Sequence, residues 1–187
     1  MNSFTSQIFA ALLLINAVFC LSSCDKQLKC STPEGLVKVI LKKTGKNHYI
    51  LTSVLNGKQN SWNLPYPVYN FETGDIDGNH SDDILVGVIK TTRFDSHYRK
   101  RIFMFKLVDG CIRPLWLGSR VSQPLEMFNL HHSDSFSTIL TIEQEKDGKF
   151  LVAQYRWRGF GLEFTKYISR EINKKQAYKL IYHYEKE

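Results

Sequence analysis

The feature that most limits how this chain can fold is a long succession of short apolar segments, each ended by a turn signal. These segments are rich in β-branched and aromatic residues and recur at roughly 8–12-residue intervals, which is typical of antiparallel sheets. Asn56-Gly57 and Asp109-Gly110 are strong hairpin-turn signals. A short helical period occurs only at 169–177. We predict an all-β domain over residues 36–187, with strands at 37–42, 48–54, 84–89, 101–108, 112–117, 137–144, 150–157, 161–168 and 178–184.

Two parts of this β-rich region resemble each other. Residues 84–110 and 139–159 show the same order of two apolar segments and a glycine turn, at an offset of about 50 residues, the size of a propeller blade. Any all-β chain shows some echo of this kind. The chain has room for about three such units, whereas closed propellers have about four to eight blades. The sequence therefore predicts blade-like antiparallel units in an incomplete propeller or a β-sandwich, or closure by oligomerisation.

The stretch 75–83 carries the most specific chemical pattern. Oxygen-bearing side chains fall at alternate loop positions, and such spacing can turn several oxygens toward one point, as the hard Ca²⁺ ion requires. Carboxylates this close repel one another unless a cation lies between them. The alternative is a turn in which these side chains hydrogen-bond their own backbone. The candidate ligands are Asp75, Asp77, Asn79 and Asp83, with the backbone carbonyl of Ser81.

The loop is not an EF-hand, which needs glycine at position six and glutamate at position twelve, where this chain has His80 and Val86. Residues 74–87 instead resemble the FG-GAP or VCBS-type repeat of integrin-like β-propellers, in which an Asp-x-Asp-Gly-Asn-type loop precedes a strand beginning Asp-Ile or Asp-Leu. The resemblance implies a hairpin stabilised by structural calcium within a blade, with the five residues above as ligands. The second unit departs from the pattern, because His131-His132-Ser133-Asp134 lacks the acidic spacing.

The first residues indicate export. An apolar run at 8–19 has the length of a signal-peptide core and is short for a membrane span, although no Lys or Arg precedes it. Leu21-Ser22-Ser23-Cys24 resembles the lipobox of bacterial lipoproteins. That resemblance implies a signal peptide at 1–23, acyl chains on Cys24 and a lipidated tether at 24–35. Ordinary cleavage at a nearby Ala or Ser, which would leave Cys24 free for a disulfide, is the alternative.

These expectations place the protein in the bacterial cell envelope, anchored by lipid to the inner or outer membrane with its body facing the periplasm or exterior. The formal net charge of +7 would draw the body toward anionic lipid head groups or acidic glycans, or reflect nothing more than a basic surface. Nucleic acid is not an expected partner outside the cytoplasm. In an oxidising envelope Cys30 and Cys111 either pair or stay separate, and the sequence leaves both open.

Catalytic motifs are missing from the sequence: there is no nucleophile elbow, zinc-protease helix motif, P-loop or dinucleotide fingerprint. His131 and His132 are adjacent, so on a strand they would face opposite sides. Arg156, Trp157 and Arg158 form a candidate contact for a sugar or an anion, although strand alternation explains them equally well.

We therefore expect a membrane-anchored, non-enzymatic binding module for an unknown envelope protein or glycan. The alternatives are an envelope hydrolase acting on glycan or peptidoglycan through carboxylates distant in sequence, and an immunity or assembly partner of a secreted protein.

Overall fold

The strands form three four-stranded antiparallel sheets, and in each sheet consecutive strands are neighbours. The computed structural model describes residues 25–93, 95–118, 121–133 and 136–184. The first sheet contains β1 (Lys26–Thr32), β2 (Gly35–Gly45), β3 (His48–Leu55) and β4 (Lys58–Leu64). The second contains β5 (Val68–Gly74), β6 (Asp83–Thr92), β7 (Asp95–Val108) and β8 (Cys111–Trp116). The third contains β9 (Leu125–His131), β10 (Thr138–Gln144), β11 (Phe150–Trp157) and β12 (Leu162–Ile172), followed by helix α1 (Lys174–His183).

The prediction of an all-β antiparallel body with blade-like units is confirmed. Asn56-Gly57 joins β3 to β4 and Asp109-Gly110 joins β7 to β8, and all four residues have positive φ angles, as tight hairpin turns require. The two segments that resemble each other at 84–110 and 139–159 supply the central strand pairs of the second and third sheets, β6–β7 and β10–β11. The signal peptide expected at 1–23 and the lipidation expected at Cys24 lie outside the described residues.

The strand predicted at 178–184 is wrong, because residues 178–183 belong to α1 and Tyr184 caps its C-terminus. Asn173 caps the helix: its side chain accepts a hydrogen bond from the Gln176 amide, and the Gln176 side chain accepts one from the Asn173 amide. Ala177 and Ile181, four residues apart, are fully buried on one face. The helical period at 169–177 was displaced by several residues, since β12 continues to Ile172.

Four strands went unrecognised in the sequence, namely β1, β4, β5 and β9. Each is an edge strand of its sheet. Four of the seven residues are exposed in β1 and in β4, and polar residues interrupt the apolar ones in β5 and β9, so the apolar signal is weak in all four. β1 has a further consequence, because Lys26–Thr32 pairs along its whole length with β2. The segment 24–35, expected to be a tether, is therefore mostly part of the first sheet.

The three sheets and the helix stack as four layers around three apolar clusters. Alternate residues of β6 point to opposite sides, so Ile84 and Val86 pack against the first sheet while Leu85 packs against the third. The outer face of the third sheet, through Leu140 and Val152, packs against α1. The second sheet is thus buried on both faces and lies at the centre of the stack.

Candidate metal centre

The acidic loop connects β5 to β6 and touches all three sheets. Within it, Ile76 is only 2% exposed and packs in the cluster between the second and third sheets. The Ser137 amide, directly before β10, donates to the Asp75 carbonyl at 2.5 Å. On the other side, the Ser31 amide of β1 donates to Asp82 Oδ2 at 2.7 Å. A cation bound in this loop would therefore stabilise the region where the three sheets meet.

Three of the predicted ligands converge. Carboxylate oxygens of Asp75, Asp77 and Asp83 all lie within 4.8 Å of one another. Asp83, the first residue of β6, is 1% exposed, and the other two are nearer to solvent. At these separations the like charges raise one another's energy, and a divalent cation would reverse that effect.

Backbone amides stabilise part of this negative charge by hydrogen-bonding to the carboxylates. Asp75 Oδ1 accepts from the amides of Gly78 at 2.8 Å and Asn79 at 3.2 Å, and its Oδ2 accepts from His80 at 2.8 Å. Asp77 Oδ1 accepts one longer bond of 3.3 Å from Asn79. A carboxylate offers about four acceptor positions, so these bonds shape the loop and still leave lone pairs for a cation. Both alternatives raised by the sequence, the self-bonded turn and the convergent acidic cluster, are thus present together.

The other two candidate ligands, Asn79 and Ser81, hydrogen-bond to each other. Asn79 Oδ1 accepts a 2.8 Å hydrogen bond from the Ser81 amide, and Ser81 is buried. The pair thus helps to close the turn next to the carboxylates. The turn also uses left-handed backbone at Gly78 and His80, with φ angles of 75° and 63°. A histidine in that conformation is uncommon, because its Cβ crowds the following carbonyl.

Burial and the neighbouring carboxylates shift the pKa of Asp83. Burial, followed by the charges of Asp77 and Asp75, raises the pKa of its carboxyl to about 7, and the amides of Ile76 and Asp77 oppose the shift. Near neutral pH this group is therefore balanced between a neutral acid and an anion that a cation could hold.

The candidate ligand contact on β11 is engaged within the chain. Arg156 Nε donates to Glu163 Oε2 at 2.6 Å, and Arg158 also forms an ion pair with Glu163. The hydrogen bonds from these two arginines hold the pKa of Glu163 below its ordinary value. Trp157 packs against the cluster between the second and third sheets. The three residues therefore follow the strand alternation, and a ligand would have to compete with Glu163.

A cleft of about 610 Å³ between the second and third sheets was not recognised in the sequence. Its residues come from separate strands and turns, so no local motif marks it. Trp116, Arg99 and Lys146 line it together with two carboxylates, Asp95 and Glu145. Asp95 is paired with Arg101 at 2.8 Å, and Glu145 is paired with Arg170 at 2.5 Å. The cleft thus presents cations and an aromatic ring, while each of its two acids is paired with an arginine.

The two adjacent histidines engage different partners. His131 Nδ1 lies 3.0 Å from the Tyr184 carbonyl, and His132 Nδ1 lies 3.1 Å from Ser137 Oγ. Cys30 and Cys111 are both free thiols, and Cys30 is fully buried.

Comparison with protein-family models, with curated proteins and with solved structures gives no significant match to this chain. Over the described ranges, no helix combines the length and apolar character needed to cross a membrane.

Proposed function

We propose that the chain is a lipid-anchored envelope protein whose all-β body is a non-enzymatic binding module, stabilised by one structural Ca²⁺ ion in the loop 75–83. One observation carries the calcium part: three carboxylates converge within 4.8 Å in a loop that contacts every sheet. A hard cation prefers oxygen ligands of this kind and takes about six to eight of them. Asn79, the Ser81 carbonyl and water would complete the shell.

The role of this ion is structural. Asp83 begins a central strand and Ile76 is buried in the core, so closing the loop fixes the start of β6. A ligand that binds only the folded state stabilises it, by about 2.7 kcal/mol when present at a hundred times its dissociation constant. The free energy of unfolding, measured by urea denaturation, should therefore be higher with calcium than with a chelator.

Matched variants separate this effect from general electrostatics. Asp77→Asn should remove the calcium-dependent gain, because it removes one of the three convergent carboxylates. Asp82→Asn removes the same charge from the same loop, but Asp82 faces Ser31, so the gain should persist. Equal unfolding curves with calcium and with chelator would refute the structural ion.

The lipid anchor rests on Leu21-Ser22-Ser23-Cys24 directly after an apolar run. Several acyl chains anchor a protein firmly, since each buried methylene contributes about 0.8 kcal/mol. Growth of an expressing bacterium with a labelled palmitate should label the chain, and Cys24→Ala should abolish the label. Undiminished label in the variant would refute the assignment.

The binding activity is proposed from the cleft beside Trp116. Its volume suits a small ligand, and its cations with an aromatic wall suit an anionic sugar or an acidic side chain of an envelope protein. Acidic glycan fragments should bind the intact protein and lose affinity in Arg99→Ala, while Lys106→Ala on the exposed part of β7 serves as the control. Unchanged affinity in Arg99→Ala would remove the cleft as the binding site.

A further inference from the structure

Nearly all of the net charge lies in the first sheet. Residues 26–64 contain seven lysines, no arginine and a single acidic residue, Glu34, so they contribute +6 of the chain's +7. The structure describes every residue of this range. A charge concentrated in one layer creates a directional field, unlike the same charge spread over the whole surface.

Three of these lysines lie on one face. On β2, Val37, Val39 and Leu41 are buried against the second sheet, so the alternating Lys38 and Lys42 point to the opposite, outer face. Lys29 of β1 is directly opposite Lys38. All three lysines are exposed, and within the described ranges none forms an ion pair. Like charges directly opposite on neighbouring strands destabilise a sheet, so this pair favours an anionic partner.

Apolar side chains lie between the lysines. Leu36 is 59% exposed, and Ile40, Ile50 and Val54 are half-buried on the same outer face. None of the four belongs to the apolar clusters formed by the described residues. The stack of described elements is therefore asymmetric: α1 covers the third sheet at one end, and no described element covers the outer face of the first sheet at the other.

The mixture of lysine and aliphatic side chains identifies the kind of partner. A second copy docked by the same face would bring six lysines together, which opposes self-association. An anionic lipid surface offers phosphate groups for the ammonium ends and an apolar layer for the aliphatic side chains and lysine stems.

The start of β1 gives the position of this face relative to the anchor. A single residue separates Cys24 from Lys26, where β1 begins, so their Cα atoms are at most about 7 Å apart. We propose that the outer face of the first sheet, with Lys29, Lys38 and Lys42, lies against anionic lipid head groups. This docking rests on the proposed acylation of Cys24, which would hold the sheet at the membrane surface.

Lysine acetylation of the full chain tests the proposal. The protein would be reconstituted into phosphatidylcholine vesicles with or without phosphatidylglycerol, acetylated briefly and mapped by mass spectrometry. Acetylation of the three face lysines should fall at least about threefold in the anionic vesicles, and high salt should abolish this protection. Lys106, Lys166 and Lys175, which are exposed elsewhere, should react equally in both vesicles. Lys38→Glu should weaken the protection of Lys29 and Lys42, and Lys106→Glu should not.

Equal acetylation of the face lysines in both vesicles would overturn the docking. A second result would also overturn it: the face lysines stay protected from acetylation in neutral vesicles and in high salt, and the detergent-solubilised protein sediments as a dimer. That result would assign the outer face to contact with a second copy of the chain. Flotation on neutral vesicles reports the anchor separately. Failure of the chain to float on neutral vesicles would refute the anchoring. Flotation on anionic vesicles that is weakened by Lys38→Glu would still support docking of the outer face on anionic lipid.

Discussion

Asp82 and Ser31 exchange two hydrogen bonds between the acidic loop and the first strand. The Ser31 amide donates to Asp82 Oδ2 at 2.7 Å, and the Asp82 amide donates to the Ser31 carbonyl at 2.8 Å. One acidic residue of the loop thus fastens the first sheet to the second, while its neighbour Asp83 turns toward Asp75 and Asp77. The loop has two separable tasks, a tie between sheets and a candidate cation site.

Asp82→Ala should destabilise the protein by about 1 kcal/mol, the contribution of one typical hydrogen bond, because exposure to solvent weakens the added strength of a charged acceptor. Asp82→Asn keeps an acceptor oxygen and should lose less. Urea unfolding of the two variants measures the difference. Neither should alter the affinity for Ca²⁺ by much, and an Asp82→Ala protein that no longer responds to calcium would contradict the separation of the two tasks.

Glu143 should make stability depend on pH. Its buried carboxylate accepts hydrogen bonds from Thr141 Oγ1 at 2.7 Å, Tyr155 Oη at 2.8 Å and the Gln123 amide at 2.5 Å. Burial raises its pKa above the ordinary 4.5 despite these donors, so the folded state retains a proton that the unfolded chain releases. The contribution is fully present below the unfolded pKa and is lost as the pH rises through the folded pKa.

Glu143→Gln should therefore cost about 1 kcal/mol and flatten the decline in unfolding free energy as the pH rises above 4.5. Glu143→Ala leaves the Gln123 amide and the Tyr155 hydroxyl without an acceptor and opens a cavity, and should cost about 3 kcal/mol. Urea titrations at several pH values report both effects. A Gln variant with the same pH slope as the parent would assign that slope to another group.

Cys30 should resist thiol reagents in the folded protein. Burial, and then the nearby charges of Asp82 and Asp83, raises the pKa of its thiol to about 12. At pH 8 roughly one molecule in ten thousand would carry the reactive thiolate. Cys111 is only partly buried and should react first. Peptide mapping after timed alkylation compares the two, and urea should release Cys30. Recovery of a Cys30–Cys111 disulfide from the native protein would contradict the two free thiols.

The central strands of the fold were predictable from the sequence, whereas four of the six edge strands were not. β6, β7, β10 and β11 carry runs of buried Ile, Leu, Val and Phe, so they give a strong signal from local pattern alone. An edge strand such as β4, Lys58–Leu64, is mostly polar because few of its side chains enter the core. Its assignment depends on pairing with β3, which no local pattern encodes.

The candidate metal centre lies within one continuous loop, so its spacing could be read directly, and Asp75, Asp77 and Asp83 do converge. Asn79 shows the limit of that reading, because the spacing does not indicate that its side-chain oxygen also accepts a hydrogen bond from the Ser81 amide. The cleft beside Trp116 draws its residues from β7, β8 and the turns of the third sheet. Such a site exists only after the sheets stack, because its residues come from several stretches that are far apart in the sequence. Of α1, the helical period at 169–177 covers only the beginning, because the aromatic residues of 178–184 have a composition typical of strands.

Calorimetric titration of the chelator-treated protein with Ca²⁺ tests the central claim most directly. We expect heat from one saturable site per chain, absent in Asp77→Ala and retained in Asp82→Asn. Titration that yields no heat beyond dilution, or binding that survives Asp77→Ala unchanged, would show that the backbone amides alone hold this loop together.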